Sequence, residues 1–229
     1  MSRTLALLFM IVGTATAETI NDADRAYLLS HLDMTREFVI DTTRGLSKEQ
    51  WLYKPGPARW SIAQCIDHLA QTEEYLLKLV REDVLTSNDP LIGAFPSMTK
   101  GRKRTADQPP RMSRVEDAYI LRWITDRIPV AATPVEQRPP IEEIAPRRII
   151  DDPQSAVDHF VRARAATLEY VKTTQDDLRN HFSQSPMAGF PTMQFSDAYQ
   201  WLLRMSGHTE RHLMQVHEIR RTKGFPRQR

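Results

Sequence analysis

The sequence has few of the residues that would cross-link a chain or anchor it in a membrane. Its 229 residues include one cysteine, Cys65, so no disulfide can form within a single chain. No apolar run reaches the roughly twenty residues that a membrane-spanning helix requires. The formal net charge is only +2 at pH 7, which gives no general attraction to nucleic acid or acidic membranes. A packed apolar core therefore has to hold the fold together.

The first seventeen residues have the composition of a secretory signal peptide. A charge at Arg3 precedes the apolar run 5–12, and small residues occupy 15–17. This pattern predicts cleavage between Ala17 and Glu18, with an uncleaved N-terminal anchor as the alternative. We therefore expect an exported protein, periplasmic or secreted, that leaves the membrane after cleavage and forms one domain over residues 18–229.

Most of the remaining sequence has the apolar periodicity of α-helices. Ser61 and Gln64 form a capping box, and Asp152 with Pro153 gives an acidic cap followed by proline at the first helical position. A short turn is predicted at 47–51, and no convincing strand alternation is found. Four long helices are predicted, at 19–44, 61–84, 152–175 (with an extra turn at 176–181) and 196–221.

Between residues 85 and 152 the composition changes, because ten of the fifteen prolines fall in the interval from Pro90 to Pro153. Within this interval only 113–128 has a helical apolar face. The rest is typical of an ordered loop or long crossover. We therefore predict an all-α domain, a four-helix bundle with a long proline-rich crossover that carries one additional helix. Bundles of this kind hold cofactor sites between facing helices, and dimerisation along helix faces is compatible with the pattern.

Two histidines on the last predicted helix have the spacing of a metal-ligand pair. His208 and His212 are four residues apart, so their imidazoles project from adjacent turns on the same side. A third imidazole is available at His68, beside the apolar stripe of the second long helix. The alternative is that each is an ordinary helix-surface histidine, which is the usual state of a lone histidine.

The polar neighbours of these histidines have simpler interpretations. Cys65 is a candidate fourth ligand or reactive thiol, although a small buried hydrophobe is the commoner state of a free cysteine. Asp67 and Glu210 project about a hundred degrees away from the histidines, so neither is placed as a general base. Gln215 can orient a water or a ligand, but helix packing is its simpler role.

The remaining candidates are interpreted as structural. Trp60 and Trp201 are expected in the core rather than in contact with a substrate. Four further histidines are expected to be ordinary structural residues, of which only the first is a candidate for lining the cavity: His31, His159, His181 and His217.

The segments WSIAQCIDHL (60–69) and HTERHLMQV (208–216) resemble the DinB-like family of four-helix-bundle metalloproteins. The resemblance extends over most of the mature chain. The family pattern implies one metal-binding histidine on the second long helix and two on the last, here His68, His208 and His212. It implies a divalent cofactor, and zinc or nickel suits an all-imidazole site best. Family members are linked to metal-dependent thiol transfer, isomerisation and presumed hydrolysis.

Three hypotheses about function follow. The first is a metal-dependent hydrolase or thiol transferase acting on a small molecule, because three neutral imidazoles leave a coordination position open as catalytic sites do. Export favours hydrolysis, since low-molecular-weight thiols are scarce outside the cell. The second is a non-catalytic module that binds metal or a small ligand. The third, nucleic-acid binding through the basic run 100–104, is disfavoured by the near-neutral charge. Catalytic residues beyond the ligands are not identified.

Overall fold

The computed structural model describes residues 20–86, 102–103, 117–118, 120–121, 145–147, 150–184 and 195–227. The predicted signal peptide and most of the predicted helix at 113–128 lie outside these residues. The four residues of that helix that are described, 117–118 and 120–121, have helical conformation. Among the described helices, none combines the length and the apolar character needed to cross a bilayer.

The described residues form four long helices and one short helix. These are α1 (Asp22–Thr43), α2 (Lys48–Leu52), α3 (Ile62–Leu79), α4 (Pro153–Thr173) and α5 (Ala198–Arg221). A single π-helical turn, Val80–Val84, prolongs α3. The prediction of an all-α bundle with four long helices is confirmed.

Side-chain caps determine where these helices begin. The Ser61 hydroxyl accepts from the Gln64 backbone N–H, and the Gln64 side chain accepts from the Ser61 N–H, each at 3.2 Å. Asp152 caps α4 ahead of proline, as predicted. The last helix was predicted from Ser196 but begins at Ala198, because its N-cap is Asp197, whose side chain accepts from the Gln200 N–H at 2.7 Å.

Contacts at both ends of α1 and α5 show that these two helices run parallel. Near their starts the Tyr199 hydroxyl donates to the backbone oxygen of Asp24 at 2.9 Å. Near their ends Arg220 donates to the backbone oxygen of Thr42 at 3.3 Å. The N-termini of α1 and α5 therefore lie at the same end of the bundle.

The pair α3 and α4 is also parallel. His159 contacts Glu74 at 2.8 Å, and further along both helices the Arg81 guanidinium lies over the Tyr170 ring at 5.6 Å. A parallel connection has to return along the bundle, which is about 27 Å for the 18 residues of α3. This return explains why a long crossover separates the two helices.

The two parallel pairs pack against each other in opposite directions. Arg59, just before α3, lies 4.0 Å from Glu218 near the end of α5, whereas His68 meets His208 further back along α5. The order of the long helices is therefore up, down, down, up. Facing α3 and α5 are antiparallel neighbours, and this places the histidine-bearing faces together.

A small antiparallel sheet lies beside the bundle, so the prediction of no strands is wrong. Its order is β1 (Arg102–Lys103), β2 (His181–Gln184) and β3 (Phe195–Asp197). The predicted extra turn at 176–181 does not extend α4, which ends at Thr173; residues 178–180 form a separate turn before β2 begins at His181. Strands of two to four residues are too short to show a period-two pattern.

The core consists of two apolar clusters with polar groups between them. Leu28, Leu168 and Leu202 belong to one cluster, and Ile66 and Val216 to the other. Along every long helix, buried polar residues separate the positions that contribute to the two clusters. We call this set the polar layer: Thr35, Thr72, Glu73, Arg164, Thr167, Ser206 and Thr209.

Candidate metal centre

Three imidazoles meet where α3 faces α5. Nε2 of His68 lies 3.3 Å from Nε2 of His208, and Nε2 of His212 lies 3.1 Å from the same atom. His68 and His212 are buried, whereas His208 is half-buried. Among the described residues this is the one group of histidine, cysteine or carboxylate side chains with the geometry to hold a metal ion. The structure thus brings together all three of the predicted ligands.

Helix geometry and helix packing each contribute to this convergence. His208 and His212 are one turn apart on α5, so their rings project from the same face. His68 lies in the middle of α3, which is buried from Ile62 through Ala70. Because α3 packs antiparallel against α5 at this point, the His68 ring reaches the face of α5 that carries His208 and His212.

Two neighbouring side chains contact the outer nitrogens of the His212 and His68 rings. Nδ1 of His212 donates to Oε1 of Gln215 at 3.0 Å, so Nε2 of this neutral ring carries a lone pair. Nδ1 of His68 lies 3.4 Å from Oγ1 of Thr72, a longer contact of the same kind. Outer partners of this type fix the tautomer and orientation of metal-binding imidazoles. The Gln215 contact thus directs the Nε2 lone pair of His212 toward the centre of the cluster, whereas the Thr72 hydroxyl can donate or accept and so fixes the orientation of the His68 ring but not its tautomer.

The nitrogen separations match those around a divalent ion. Two nitrogens bound tetrahedrally at about 2.0–2.1 Å lie about 3.3 Å apart. Hydrogen bonding alone does not account for the cluster, because a neutral His208 has one proton on Nε2 at most and can donate it to only one of its two neighbours. A cation accepts all the inward lone pairs at once. The donor set is therefore well suited to a divalent ion with at least one coordination position left over.

Trp60 packs against the apolar cluster of Ile66 and Val216, as predicted, and also forms one wall of the imidazole cluster. Its ring is 4.9 Å from the ring of His68 and stacks on His212 at 5.8 Å with an interplanar angle of 22°. The side chain is half-buried. Trp201, by contrast, is buried as predicted and donates from Nε1 to the Ser183 hydroxyl.

The carboxylates next to the histidines point elsewhere, as the helical spacing predicts. Asp67 is fully buried and accepts from the backbone N–H of Arg147 at 2.8 Å and from its guanidinium at 2.6 and 2.8 Å. Glu210 is half-buried, and burial raises the pKa of its carboxyl. Neither carboxylate joins the imidazole cluster. Asp67 instead fixes the end of the crossover to α3.

Cys65 is a buried apolar residue rather than a ligand. Its side chain is 0% exposed, burial raises the pKa of its thiol, and it lies in the apolar cluster of Ile66 and Val216. The position of a free cysteine inside a core makes both fourth-ligand and reactive-thiol roles inconsistent with the structure.

The other histidines do not join the cluster. His159 pairs with Glu74, Nδ1 of His181 contacts the Asp177 backbone oxygen at 2.9 Å, and His217 is exposed. His31 packs its ring against Tyr27, and burial lowers its pKa. The interpretation of these four residues as structural is consistent with these contacts.

Sequence reasoning missed Thr72 and gave Gln215 a packing role. Thr72 follows His68 by four residues, and Gln215 follows His212 by three. Both spacings place a polar side chain beside the imidazole on the same helix face. Searching each candidate ligand for such a partner would have identified the two residues.

The structure is a four-helix bundle in which three histidines of facing helices converge in a group that could hold a metal ion. A family model of the DinB superfamily matches residues 31–216, and the chain belongs to that superfamily. A solved structure with the same fold is YfiT from Bacillus subtilis, described as a probable metal-dependent hydrolase with an unusual four-helix bundle topology. The match has a TM-score of 0.50 and 12% identity, and covers 91% of this chain and 93% of YfiT. A comparison with curated proteins gave no match.

Proposed function

We propose that this protein is a metal-dependent enzyme that hydrolyses a small molecule, with a divalent ion held by His68, His208 and His212. The observation that carries the proposal is the convergence of three Nε2 atoms at separations of 3.1 and 3.3 Å. Zinc or nickel suits three imidazoles best. When bound, such an ion lowers the pKa of a coordinated water and so supplies a nucleophile near neutral pH.

The protein's own side chains prepare the site for this ion. Gln215 holds His212 in the tautomer that presents a lone pair inward, and Thr72 helps to orient the His68 ring through a longer contact. Trp60 restricts rotation of two rings by packing against them. These contacts reduce the reorganisation that metal binding would otherwise require.

Hydrolysis is favoured over thiol transfer for two reasons. YfiT, which shares the fold, is described as a probable metal-dependent hydrolase. The N-terminal segment of this chain has the pattern of an export signal, and export would remove the enzyme from the cytoplasmic thiol pool. If the hydrolase test fails, the alternatives are a thiol transferase and a non-catalytic binding module.

The test compares protein purified without a histidine tag with its His68→Ala and His159→Ala variants. Elemental analysis should give about one equivalent of zinc or nickel in the wild type and in His159→Ala, and much less in His68→Ala. Equal metal content in all three proteins would overturn the site. Metal binding without hydrolysis of ester, amide or phosphate substrates would favour the binding module.

We further propose that the protein is exported, periplasmic or secreted, after cleavage between Ala17 and Glu18. The intact mass of protein recovered from the producing cells would test this, because cleavage leaves an N-terminal glutamate. Recovery of the full 229-residue chain from the cytoplasm would contradict it. A homodimer formed along helix faces remains a proposal to be checked by light scattering.

A further inference from the structure

Arg164 of α4 lies at the centre of the polar layer and is 0% exposed. Its Nε donates to Oε1 of Glu73 at 2.7 Å, and its Nη2 donates to Oε2 of the same carboxylate at 2.8 Å. This bidentate pair joins α4 to α3. A guanidinium and a carboxylate arranged in this way form the strongest type of side-chain ion pair.

The other donors of Arg164 reach the two remaining long helices. Nη1 donates to the Leu32 backbone oxygen at 2.7 Å and to Oγ1 of Thr35 at 2.8 Å, both on α1. Nη2 also donates to Oγ1 of Thr209 on α5 at 3.0 Å. A guanidinium has five N–H groups, and all five are accounted for by these bonds and the pair with Glu73. One side chain therefore contacts all four long helices.

Two partners of Arg164 are close in sequence to the candidate metal ligands. Thr209 follows His208 directly and lies between the two imidazoles of α5 in sequence. Glu73 is adjacent to Thr72, the residue in contact with Nδ1 of His68. Arg164 thus links α3, which carries His68, to α5, which carries His208, through its bonds to Glu73 and Thr209.

The arrangement is poorly explained by stability alone. Taking two charges out of water is costly, and well-packed apolar residues often replace a buried ion pair with no loss of stability. Apolar contacts are not directional, so the two apolar clusters oppose sliding of α5 against α3 less specifically than hydrogen bonds do. A hydrogen-bonded layer does oppose it, because any shift separates donors from acceptors.

The metal centre requires such a fixed register. Advancing α5 by one residue would move His208 about 1.5 Å along the helix axis and turn it by about 100°. Metal–nitrogen distances tolerate only about 0.2 Å. Small displacements would therefore leave one imidazole outside the coordination sphere.

We propose that Arg164 and Glu73 are positioning residues that set the register of α5 against α3 at which His68, His208 and His212 converge. This inference rests on the proposed metal site. It assigns the ion pair a role in metal affinity that is separate from its role in folding.

The test is a Co²⁺ titration of the full chain and of the double variant Glu73→Leu/Arg164→Met, followed by ligand-field absorption. The double variant should keep its helix content and its midpoint of urea unfolding, because apolar side chains replace the ion pair. Its Kd for Co²⁺ should rise at least tenfold, as it does when outer partners of metal ligands are removed. Its absorption bands should also change, because fewer than three imidazoles reach the ion.

Glu74→Gln is the matched control, since it removes the charge from an exposed contact between the same two helices, a contact that does not include α5. It should bind Co²⁺ within about twofold of wild type. A folded double variant with wild-type affinity and bands would overturn the inference alone. A wild type that takes up no Co²⁺ would overturn the proposed function and this inference together.

Thr209→Val and Thr209→Ser provide the test if the double variant does not fold. Valine keeps the size of threonine but removes the hydroxyl that accepts from Arg164, whereas serine retains the hydroxyl. Co²⁺ affinity should fall several-fold in the valine variant and return to within twofold of wild type in the serine variant. Equal affinities in the two variants would overturn the inference.

Discussion

Among the described residues two arginines are buried, and their surroundings differ in charge. Arg164, in the polar layer, faces one carboxylate and uses every N–H group that it has. Arg179, which is 2% exposed, donates to three carboxylates: Asp117 at 2.6 and 2.9 Å, Asp197 at 3.0 Å and Asp24 at 3.3 Å. Its Nε has no hydrogen-bond partner among the described residues.

The difference shows that one residue type can serve two purposes in the same interior. The Arg164 pair is neutral and satisfied, so it is suited to fixing geometry. The Arg179 group carries one positive and three negative charges, an excess that a buried site disfavours. Burial raises the pKa of Asp197 to about 7, with the Asp117 charge adding to the rise and Arg179 opposing it. This group is therefore expected to hold a proton near neutral pH and to respond to pH.

The largest effect should come from breaking the neutral pair on one side only. Arg164→Met leaves Glu73 buried without its partner, and the free energy of unfolding should fall by about 3–5 kcal/mol. Urea unfolding followed by circular dichroism would measure the loss. Adding Glu73→Leu should recover most of it, and a loss below about 1 kcal/mol in the single variant would contradict this account.

The second effect is a pH dependence that belongs to the Arg179 group. The pKa of Asp197 is about 7 in the folded protein and 3.8 ordinarily. A raised pKa stabilises the fold at low pH, and that contribution is lost as the pH rises through the folded value. The contribution to the free energy of unfolding should therefore fall by about 2 kcal/mol between about pH 5.5 and pH 8.

Asp197→Asn should remove this slope, since asparagine does not titrate and still caps a helix. Asp67→Asn is the matched control, because Asp67 is equally buried but is paired with one arginine. Its slope should equal that of the wild type. A wild-type slope that survives in Asp197→Asn would show that the proton resides elsewhere.

A smaller effect on stability is expected at Tyr199, whose ring and hydroxyl make separate contacts. Its ring lies 3.7 Å from the Arg179 guanidinium, and its hydroxyl donates to the Asp24 backbone oxygen. Tyr199→Phe keeps the ring and loses the hydrogen bond, so the free energy of unfolding should fall by about 1 kcal/mol. The pH slope should not change, and a flattened slope would mean that the hydroxyl participates in the charge balance.

The smallest effect is expected on the outside of the bundle. Glu74→Gln removes the charge from the contact with His159, in which the side chains of Glu74 and His159 are 58% and 28% exposed. The free energy of unfolding should change by about 0.5 kcal/mol or less, because water screens such a pair. A loss comparable to that in Arg164→Met would invalidate the distinction between buried and exposed pairs.

Local signals in the sequence predicted the helices and their caps because those signals depend on neighbours in the chain. Ser61 and Gln64 are three residues apart, and Asp152 is next to Pro153. The three histidines were placed by spacing together with a family resemblance. The directions of the helices could not be predicted this way, because a proline-rich crossover is compatible with more than one helix order.

The polar layer was not predictable from local pattern. Arg164 and Glu73 are 91 residues apart, and each lies within a predicted amphipathic helix where a charged residue would normally face water. The Arg179 group joins residues of α1, the crossover and the start of α5, and its composition depends on the finished fold. The short strands were missed because pairing between residues 80 apart, as in Arg102 and Phe182, defines them better than their own composition.

Because Cys65 is buried, its reaction with a thiol reagent can be used to measure how often the bundle opens. The only sulfhydryl of the sequence is 0% exposed, so a thiol-labelling reagent can modify it only in molecules whose interior has come apart. The rate of labelling under native conditions would thus report how often the bundle opens around α3. If zinc binds the histidine cluster, added zinc should slow the labelling, because a ligand of the folded state makes opening rarer. The labelling rate would then report metal binding without the need for a substrate.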